Sequence, residues 1–279
     1  MLHESVSPFL CGIFRLLFVR CIDTRGGLCY ALFNDAASNR DKAVGCGKVH
    51  ITKRRNKNAA VKSGVAGRGI AMNHWNGKLW HAYGTSMTSV QQGKYVPVVE
   101  KLSGLTVVNH GIPGGSLTPD GYGRGNTKAA VMTLADGKGD ADLITLEVVP
   151  NEGAVVGDIY DTDDESFCGC LNQCLRYLQE NTRAQIVLII MIMHNDYPPE
   201  CVCERRGITQ FEFAQKAELV GRLNCVPVIN AFCESGFGYG RVKGRKYQVD
   251  NIHLNDLGGV NMGQFVWSRL KDIPLWQAE

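Results

Sequence analysis

Four short segments of the sequence contain residue types that could catalyse acyl transfer. Ser86 follows one apolar run, and Gly114 and Asn151 lie just beyond two others. Asp250 and His253 are three residues apart, directly before the last helical segment. Serine, histidine and aspartate serve as nucleophile, base and orienting group in many hydrolases, and glycine N–H and asparagine amide groups can stabilise an oxyanion. These five residues are therefore the candidates for a catalytic site.

Each candidate has a role that its chemistry permits. The Ser86 hydroxyl is a weak nucleophile until a base accepts its proton, and His253 can be that base. Asp250 can hold the imidazole in one tautomer and stabilise the imidazolium. We expect Ser86 at a strand-to-helix turn, where the N–H groups of the helix favour developing negative charge. Gly114 and Asn151 can donate to the oxyanion, and each such donor contributes about 3–4 kcal/mol.

Alternating apolar runs and amphipathic stretches predict the elements that position these residues. The apolar runs are Leu79–Tyr83, Leu105–Asn109, Leu143–Val149, Ile186–Met193 and Val226–Ile229. The helical candidates are Tyr95–Leu102, Phe167–Leu178, Phe211–Leu223 and Leu257–Leu270. This alternation predicts a flavodoxin-like, three-layer α/β/α fold with a parallel sheet of about five strands. Ligands of such folds bind beyond the carboxyl ends of the strands, where Ser86, Gly114 and Asn151 fall.

The composition excludes several classes of protein. The chain has 279 residues, 44% of them hydrophobic and 20% charged, so it can bury a sizeable core. Its net charge of +3 is too small to imply a nucleic-acid partner. The longest apolar stretch, Pro8–Val19, is interrupted by Arg15 and is shorter than a membrane span. We therefore expect neither a nucleic-acid partner nor a membrane span.

The cysteines favour thiols over a metal site. Cys168 and Cys170, like Cys201 and Cys203, are separated by a single residue, a spacing that structural zinc sites rarely use. The total of 11 cysteines is odd, which favours free thiols in a reducing compartment, with one or more disulfides as the alternative. We expect no metal, no cofactor and a cytoplasmic protein. Secretion directed by Pro8–Val19 is the alternative, although no lysine or arginine precedes that stretch.

Residues 1–75 differ from the rest of the chain and are predicted to form an N-terminal extension to a domain over residues 76–279. Phe9–Val19 and Leu28–Phe33 are apolar, whereas Lys48–Lys57 is basic and reads as an exposed strand or arm. The apolar stretches are too short to span a bilayer and too apolar to remain in water. We expect them to pack on the main domain or on a second copy of the chain, which makes a homo-oligomer possible.

The candidate residues carry a resemblance to the SGNH hydrolases, the GDSL-like esterase family. Gly84-Thr85-Ser86 is similar to the family's Gly-Asp-Ser block, and Gly114 to its second-block glycine. Val149-Pro150-Asn151-Glu152 is similar to the Gly-x-Asn-Asp block, and the segment from Asp250 to His253 to the Asp-x-x-His block. The resemblance covers about residues 79–276. The departures from the family pattern are Thr85 for Asp, Val149 for Gly, Glu152 for Asp and Leu254 for Pro.

The resemblance implies an enzyme without a cofactor. It makes Ser86 the nucleophile, Asp250 and His253 the base pair, and the Ser86 N–H, the Gly114 N–H and the Asn151 amide the oxyanion hole. It implies hydrolysis of short acyl esters, acetyl above all, on a small-molecule or glycan substrate. Polar side chains of the intervening loops suit a sugar-like alcohol; they are Tyr122, Tyr160, Tyr197, Tyr239 and Arg241.

Other interpretations of the same residues stay open at this point. A short-chain lipase, a thioesterase or an acyltransferase would share the acyl-enzyme and differ in what is bound or what attacks it. A catalytically silent carbohydrate-binding relative is a further alternative. Ser116 is a rival serine, and His110 and His194 are further histidines at strand ends.

Overall fold

The protein is described by a computed structural model that covers residues 16–22, 28–34, 73–134, 139–150, 155–192, 198–203, 207–242 and 245–276. The chain divides into two units, Met1–Val65 and Ala66–Glu279, and each is described by itself. The basic segment Lys48–Lys57, Asn151, His194 and Tyr197 lie outside the described residues. The predicted division of the chain after residue 75 stays a prediction.

The first unit contains a pair of antiparallel strands. Strand β1 spans Leu16–Ile22 and β2 spans Leu28–Asn34. Leu16 is opposite Asn34 and Ile22 is opposite Leu28 across the pair. The apolar stretches of the N-terminal extension therefore contribute to strands.

The second unit is built on a five-stranded parallel sheet. Its strands are β3 (Leu79–Gly84), β4 (Thr106–Gly111), β5 (Leu143–Val148), β6 (Gln185–Ile190) and β9 (Val228–Asn230). Their spatial order is β4-β3-β5-β6-β9, so the chain runs outward from β3 in both directions. Every residue of β5 and β6 is buried, which explains why these strands read as nearly continuous apolar runs. All five strands end at the same edge of the sheet.

Helices cover both faces of this sheet. The described part of the second unit contains the helices α1 (Val96–Ser103), α2 (Asn126–Met132), α3 (Phe167–Asn181), α4 (Gln210–Leu223), α5 (Ala231–Glu234), α6 (Tyr239–Val242) and α7 (Asp256–Leu270). Helices α1 and α7 pack together as one layer, whereas α2, α3 and α4 pack side by side as the other. Two short strands, β7 (Val202–Cys203) and β8 (Ile208–Thr209), form an antiparallel pair before α4. None of the described helices is long and apolar enough to cross a membrane.

Polar caps start the helices where the sequence places them. The Thr209 hydroxyl accepts from the Glu212 N–H, and the Glu212 carboxylate accepts from the Thr209 N–H, which forms a capping box at α4. The Asn255 side chain accepts from the Gly258 N–H and caps α7. This cap lies two residues after His253 and fixes the start of α7 at Asp256.

The predicted fold class is confirmed, with differences at the ends of elements. All five predicted strands and all four predicted helices are present. Strand β6 ends at Ile190, whereas the sequence predicted a strand as far as Met193. The apolar run continues past Ile190, the last residue of β6 that pairs with β9, so apolar character alone placed the end of the strand too late. The sequence did not predict α2, α5, α6 or the β7–β8 pair, since each is too short to show a clear periodicity.

Two glycines of α7 allow that helix to lie close to α1 and to Lys94, which precedes α1 by two residues. A Cβ atom on Gly259 would lie 2.4 Å from the Lys94 Cβ, and one on Gly263 would lie 2.5 Å from the Val98 Cβ. Real Cβ atoms do not approach this closely, so side chains here would push the helices apart. The close packing matters for the site because α7 follows His253 directly.

The close packing of α7 on α1 predicts that Gly263→Ala destabilises the protein. Overpacking costs about 1–3 kcal/mol and outweighs the gain of about 1 kcal/mol in helix propensity. Gly240 of α6 is the matched control, because a Cβ atom there would meet nothing within 4 Å. Thermal unfolding should show a lower Tm for Gly263→Ala and an unchanged or higher Tm for Gly240→Ala. Equal Tm values for the two variants would contradict close packing at Gly263.

Candidate functional site

Ser86 lies in a hydrogen-bonded turn directly after β3. The N–H groups of Thr88 and Ser89 both donate to the Thr85 carbonyl, and the Ser89 hydroxyl donates to the Ser86 carbonyl. The expectation that Ser86 begins a helix is wrong, because α1 starts at Val96. Serine and threonine side chains that bond to nearby backbone groups compete with helix formation. The turn itself still presents the hydroxyl at the carboxyl edge of the sheet.

His253 and Asp250 reach Ser86 from the loop before α7. The Ser86 Oγ is 2.9 Å from the His253 Nε2, and the His253 Nδ1 is 2.7 Å from the Asp250 Oδ2. The other carboxylate oxygen, Asp250 Oδ1, accepts from the N–H groups of Ile252 and His253 at 2.7 Å each. The structure therefore brings the predicted nucleophile, base and orienting carboxylate into one hydrogen-bonded chain.

The environment of Asp250 keeps its carboxylate charged. Burial opposes ionisation, but the hydrogen bonds from the His253 ring and from the His253 and Ile252 N–H groups outweigh it. The pKa of Asp250 is consequently below its usual value. A charged Asp250 favours the His253 tautomer that carries its proton on Nδ1 and leaves Nε2 as the acceptor for the serine proton.

The loop that follows β4 carries Gly114 and lies against the Ser86 turn. The Ile112 N–H donates to the Gly84 carbonyl over 3.0 Å, which ties the start of this loop to the end of β3. Gly114 has a φ of 71°, a left-handed conformation that favours glycine. Within the described residues, neither the Ser86 N–H nor the Gly114 N–H donates a hydrogen bond. Both groups are thus available to an oxyanion, while the third predicted donor, Asn151, lies outside the described residues.

An exposed tyrosine stands beside Gly114. The Tyr122 side chain is 79% exposed, and its ring would lie 2.7 Å from a Cβ atom on Gly114. A flat aromatic surface is therefore open to solvent next to the predicted oxyanion donor. Neither the exposure nor the contact was visible in the sequence, which showed only a tyrosine in a glycine-rich loop.

Sequence reasoning missed a buried carboxyl group under the Ser86 turn. Glu147 of β5 is fully buried, and its Oε2 accepts from the Thr85 N–H at 2.7 Å and the Thr88 hydroxyl at 3.1 Å. Burial raises the pKa of Glu147 to about 7, although the hydrogen bonds from Thr85 and Thr88 oppose that rise. The signal available in the sequence was a single glutamate inside an otherwise apolar strand.

Ser116 and His110, the alternative candidates, make hydrogen bonds away from Ser86. Ser116 is fully buried, and its hydroxyl donates to the Thr118 carbonyl and accepts from the Gly125 N–H. His110 Nε2 lies 3.3 Å from the His81 Nδ1, and the His110 ring stacks on Tyr83. Neither residue belongs to the hydrogen-bonded chain at Ser86.

Six cysteines in the second unit are free thiols. Cys168, Cys170 and Cys174 are buried on α3, whereas Cys201, Cys225 and Cys233 are exposed. Burial raises the pKa of the Cys168 thiol to about 12. Among the described residues, no group of three or more histidine, cysteine or acidic side chains could hold a metal ion.

Comparison with solved structures identifies the fold. A protein from Lactobacillus plantarum is 20% identical over 71% of this chain and 98% of its own, with a TM-score of 0.60. A member of the lipolytic protein G-D-S-L family from Veillonella parvula is 14% identical over 70% of this chain and 99% of its own, with a TM-score of 0.50. The chain has the SGNH-hydrolase fold. The predicted resemblance is thereby confirmed at the level of the fold.

A third solved structure of similar fold is that of an esterase. It is a catalytic mutant of Axe2, an acetylxylan esterase from Geobacillus stearothermophilus. It is 11% identical over 75% of this chain and 100% of its own, with a TM-score of 0.50. No family model and no curated protein matches the sequence.

The buried state of Glu147 predicts a pH-dependent stability. Between about pH 4.5 and 7, the unfolded chain ionises this carboxyl group while the folded protein keeps it protonated. The unfolded state therefore binds fewer protons, and the free energy of unfolding falls as the pH rises through this window. Glu147→Gln removes this contribution, on the order of 3 kcal/mol.

Urea unfolding at pH 5 and at pH 7.5 measures this effect. Wild type should lose stability relative to Glu147→Gln as the pH rises. Glu180 is exposed on α3 and provides the control, since its Gln variant should follow wild type at both pH values. A constant difference between wild type and Glu147→Gln would show that Glu147 titrates alike in the folded and unfolded states.

Proposed function

We propose that the protein is a serine esterase that hydrolyses short acyl esters, with acetyl esters of carbohydrates as the substrate class. The observation that carries this proposal is the hydrogen-bonded chain from Ser86 through His253 to Asp250 at the carboxyl edge of the sheet. A serine hydroxyl, an imidazole and a carboxylate in this order have the geometry of nucleophilic acyl transfer. The SGNH fold agrees with such a role.

The first half of the reaction forms an acyl-enzyme. The Ser86 Oγ attacks the ester carbonyl carbon while the His253 Nε2 accepts the serine proton, and Asp250 stabilises the resulting imidazolium. The carbonyl oxygen becomes an oxyanion that accepts from the N–H groups of Ser86 and Gly114, with the Asn151 amide as the third proposed donor. The intermediate then collapses, the C–O bond to the alcohol breaks, and His253 returns its proton to the departing alkoxide.

The second half of the reaction restores the free serine. His253 takes a proton from water, whose oxygen attacks the acyl carbon and forms a second tetrahedral intermediate at the same donors. Collapse breaks the bond between the acyl carbon and the Ser86 Oγ, which recovers its proton from His253. The products are a carboxylic acid and an alcohol. No cofactor enters this sequence of steps.

Two observations support a carbohydrate ester as the substrate. The exposed Tyr122 ring beside Gly114 offers an apolar face on which a sugar ring can pack while its hydroxyls remain in water. Among the solved structures of similar fold, Axe2 is an acetylxylan esterase. The alcohol of the substrate is therefore proposed to extend from Ser86 across Gly114 towards Tyr122.

A serine-directed probe tests the nucleophile. Ser86→Ala should lower kcat on p-nitrophenyl acetate by several orders of magnitude without altering the fold. A fluorophosphonate should label wild type once, and peptide mass spectrometry should place the label on Ser86. Ser268, an exposed serine of α7, is the matched control, so Ser268→Ala should keep both the activity and the label. A label on Ser116, or full activity in Ser86→Ala, would refute the assignment.

The substrate class is tested with a series of esters. Rates should fall with acyl length from p-nitrophenyl acetate to octanoate, and acetylated oligosaccharides should release acetate. Tyr122→Ala should raise KM for an acetylated oligosaccharide by about tenfold, which corresponds to one aromatic contact, and should leave KM for p-nitrophenyl acetate unchanged.

Tyr160 is the matched control for the Tyr122 substitution, because it is a second exposed tyrosine, at 70% exposure, in a different loop. Tyr160→Ala should leave both KM values unchanged. Faster turnover of octanoate than of acetate would point to a lipase, and equal effects of the two substitutions would remove Tyr122 from the binding site.

A further inference from the structure

We propose that Glu147 is a positioning residue that holds the Ser86 turn in the geometry needed for attack, together with Thr85 and Thr88. This inference rests on the proposed role of Ser86 as the nucleophile. Glu147 does not contact Ser86 in the structure, and it acts through the two threonines on either side of that serine. The proposed arrangement at Ser86 therefore includes a residue of the buried strand β5.

The contacts of Glu147 converge on the residue that precedes the nucleophile. Its Oε2 accepts from the Thr85 N–H at 2.7 Å and from the Thr85 hydroxyl at 3.0 Å. The Thr85 hydroxyl also lies 3.2 Å from Oε1, so one carboxyl group binds both polar groups of this residue. Because the Thr85 carbonyl in turn accepts the N–H groups that close the turn, fixing Thr85 fixes the backbone on both sides of Ser86.

The second side of the turn is held through Thr88. Its hydroxyl donates to the Glu147 Oε2 at 3.1 Å and lies 3.0 Å from the Tyr95 hydroxyl. Since the Thr88 proton points to Glu147, the Tyr95 hydroxyl is the donor to Thr88. Burial is the main reason that the pKa of Tyr95 is raised, and Glu147 adds to that rise, so Tyr95 keeps its proton for this bond. Hydrogen bonds thus connect Glu147 through Thr88 to Tyr95, the residue directly before α1.

Gly84 leaves the space that this arrangement requires. A Cβ atom on Gly84 would lie 2.5 Å from the Glu147 Oε2 and 2.6 Å from the Thr88 Oγ1. Any side chain at this position would displace the carboxyl group from the turn. Gly84, the last residue of β3, therefore has no side chain because the Glu147 carboxyl group occupies the space where a side chain would lie.

A carboxyl group is an unusual side chain for a buried strand. Burying an ionisable group costs free energy, and apolar residues fill every other position of the buried β6 strand apart from its first residue. The three donors of Thr85 and Thr88 need an acceptor once they are removed from water. Glu147 supplies that acceptor with two oxygens whose fixed spacing determines where Thr85 and Thr88 lie. The position of Ser86 relative to His253 follows from this spacing.

Substitutions at Glu147 separate positioning from stability. Glu147→Leu keeps a similar volume but leaves the donors without an acceptor, so kcat on p-nitrophenyl acetate should fall by about 100-fold with KM changed by less than about threefold. Glu147→Gln retains an acceptor oxygen and should recover most of kcat, to within about threefold of wild type. If Glu147→Leu fails to fold, Thr85→Val, which removes one donor, should still lower kcat by about tenfold.

The matched control is Thr145→Val. Thr145 lies on β5 two residues before Glu147, and its hydroxyl accepts from the Trp80 indole N–H at 2.9 Å. Removing that buried bond should lower Tm without changing kcat, since Thr145 does not contact the Ser86 turn. An unchanged kcat in both Glu147→Leu and Thr85→Val would overturn the proposal. So would an equal loss of kcat in Thr145→Val.

A measurement that needs no turnover keeps the inference separate from the proposed function. The 15N chemical shift of the His253 Nε2, measured by NMR at one fixed pH, reports its hydrogen bond to Ser86. Ser86→Ala should change this chemical shift in wild type and should leave it unchanged in the Glu147→Leu background, where Ser86 has moved away. An equal shift in both backgrounds would refute positioning by Glu147 even if the protein hydrolyses no ester. Loss of esterase activity with the expected NMR result would refute the proposed function alone.

Discussion

The parallel pairing of β3 with β5 is the constraint on which the rest of the site depends. Trp80 pairs with Leu143 and Tyr83 with Leu146, so the two strands end side by side. This register brings Glu147 to the point where β3 ends at Gly84 and the chain turns towards Ser86. A slip of one residue would reverse the face on which each side chain lies, and would place the carboxyl group away from the turn. The apolar burial that fixes the sheet therefore also fixes the position of Ser86.

The remaining parts of the site reach Ser86 from elements that are distant in sequence. His253 is 167 positions from Ser86, yet their side chains are 2.9 Å apart. Two features hold this approach: the Asn255 cap that starts α7, and the glycines that let α7 lie against α1. The loop with Gly114 is held separately, by the bond between the Ile112 N–H and the Gly84 carbonyl. The Asn255 cap, the glycines of α7 and the Ile112–Gly84 hydrogen bond thus each hold a different part of the site at the same edge of the sheet.

A buried polar group lies at this edge of the sheet. It consists of Glu147, Thr85, Thr88 and Tyr95, whose side chains are joined by hydrogen bonds. Such a group is stable only when each donor finds an acceptor, because an unpaired polar group in the interior is costly. The same condition makes its geometry specific, since few arrangements satisfy all of its members. This specificity is the physical basis of the proposal that the Glu147 group positions Ser86, which is itself almost completely buried.

The sequence by itself determined the sheet, the main helices and the candidate catalytic residues. Apolar periodicity marks the strands and helices because burial follows the repeat of each element, and Ser86, Asp250 and His253 stand where parallel strands and the last helix place functional groups. The Asn151 amide stays a prediction, as does the role of the N-terminal extension. Only the tertiary structure decided that Ser86 lies in a turn instead of at a helix start, that Tyr122 covers Gly114, and that Glu147 supports the Ser86 turn. These features depend on contacts between segments far apart in the chain, whose distances no local pattern of residues encodes.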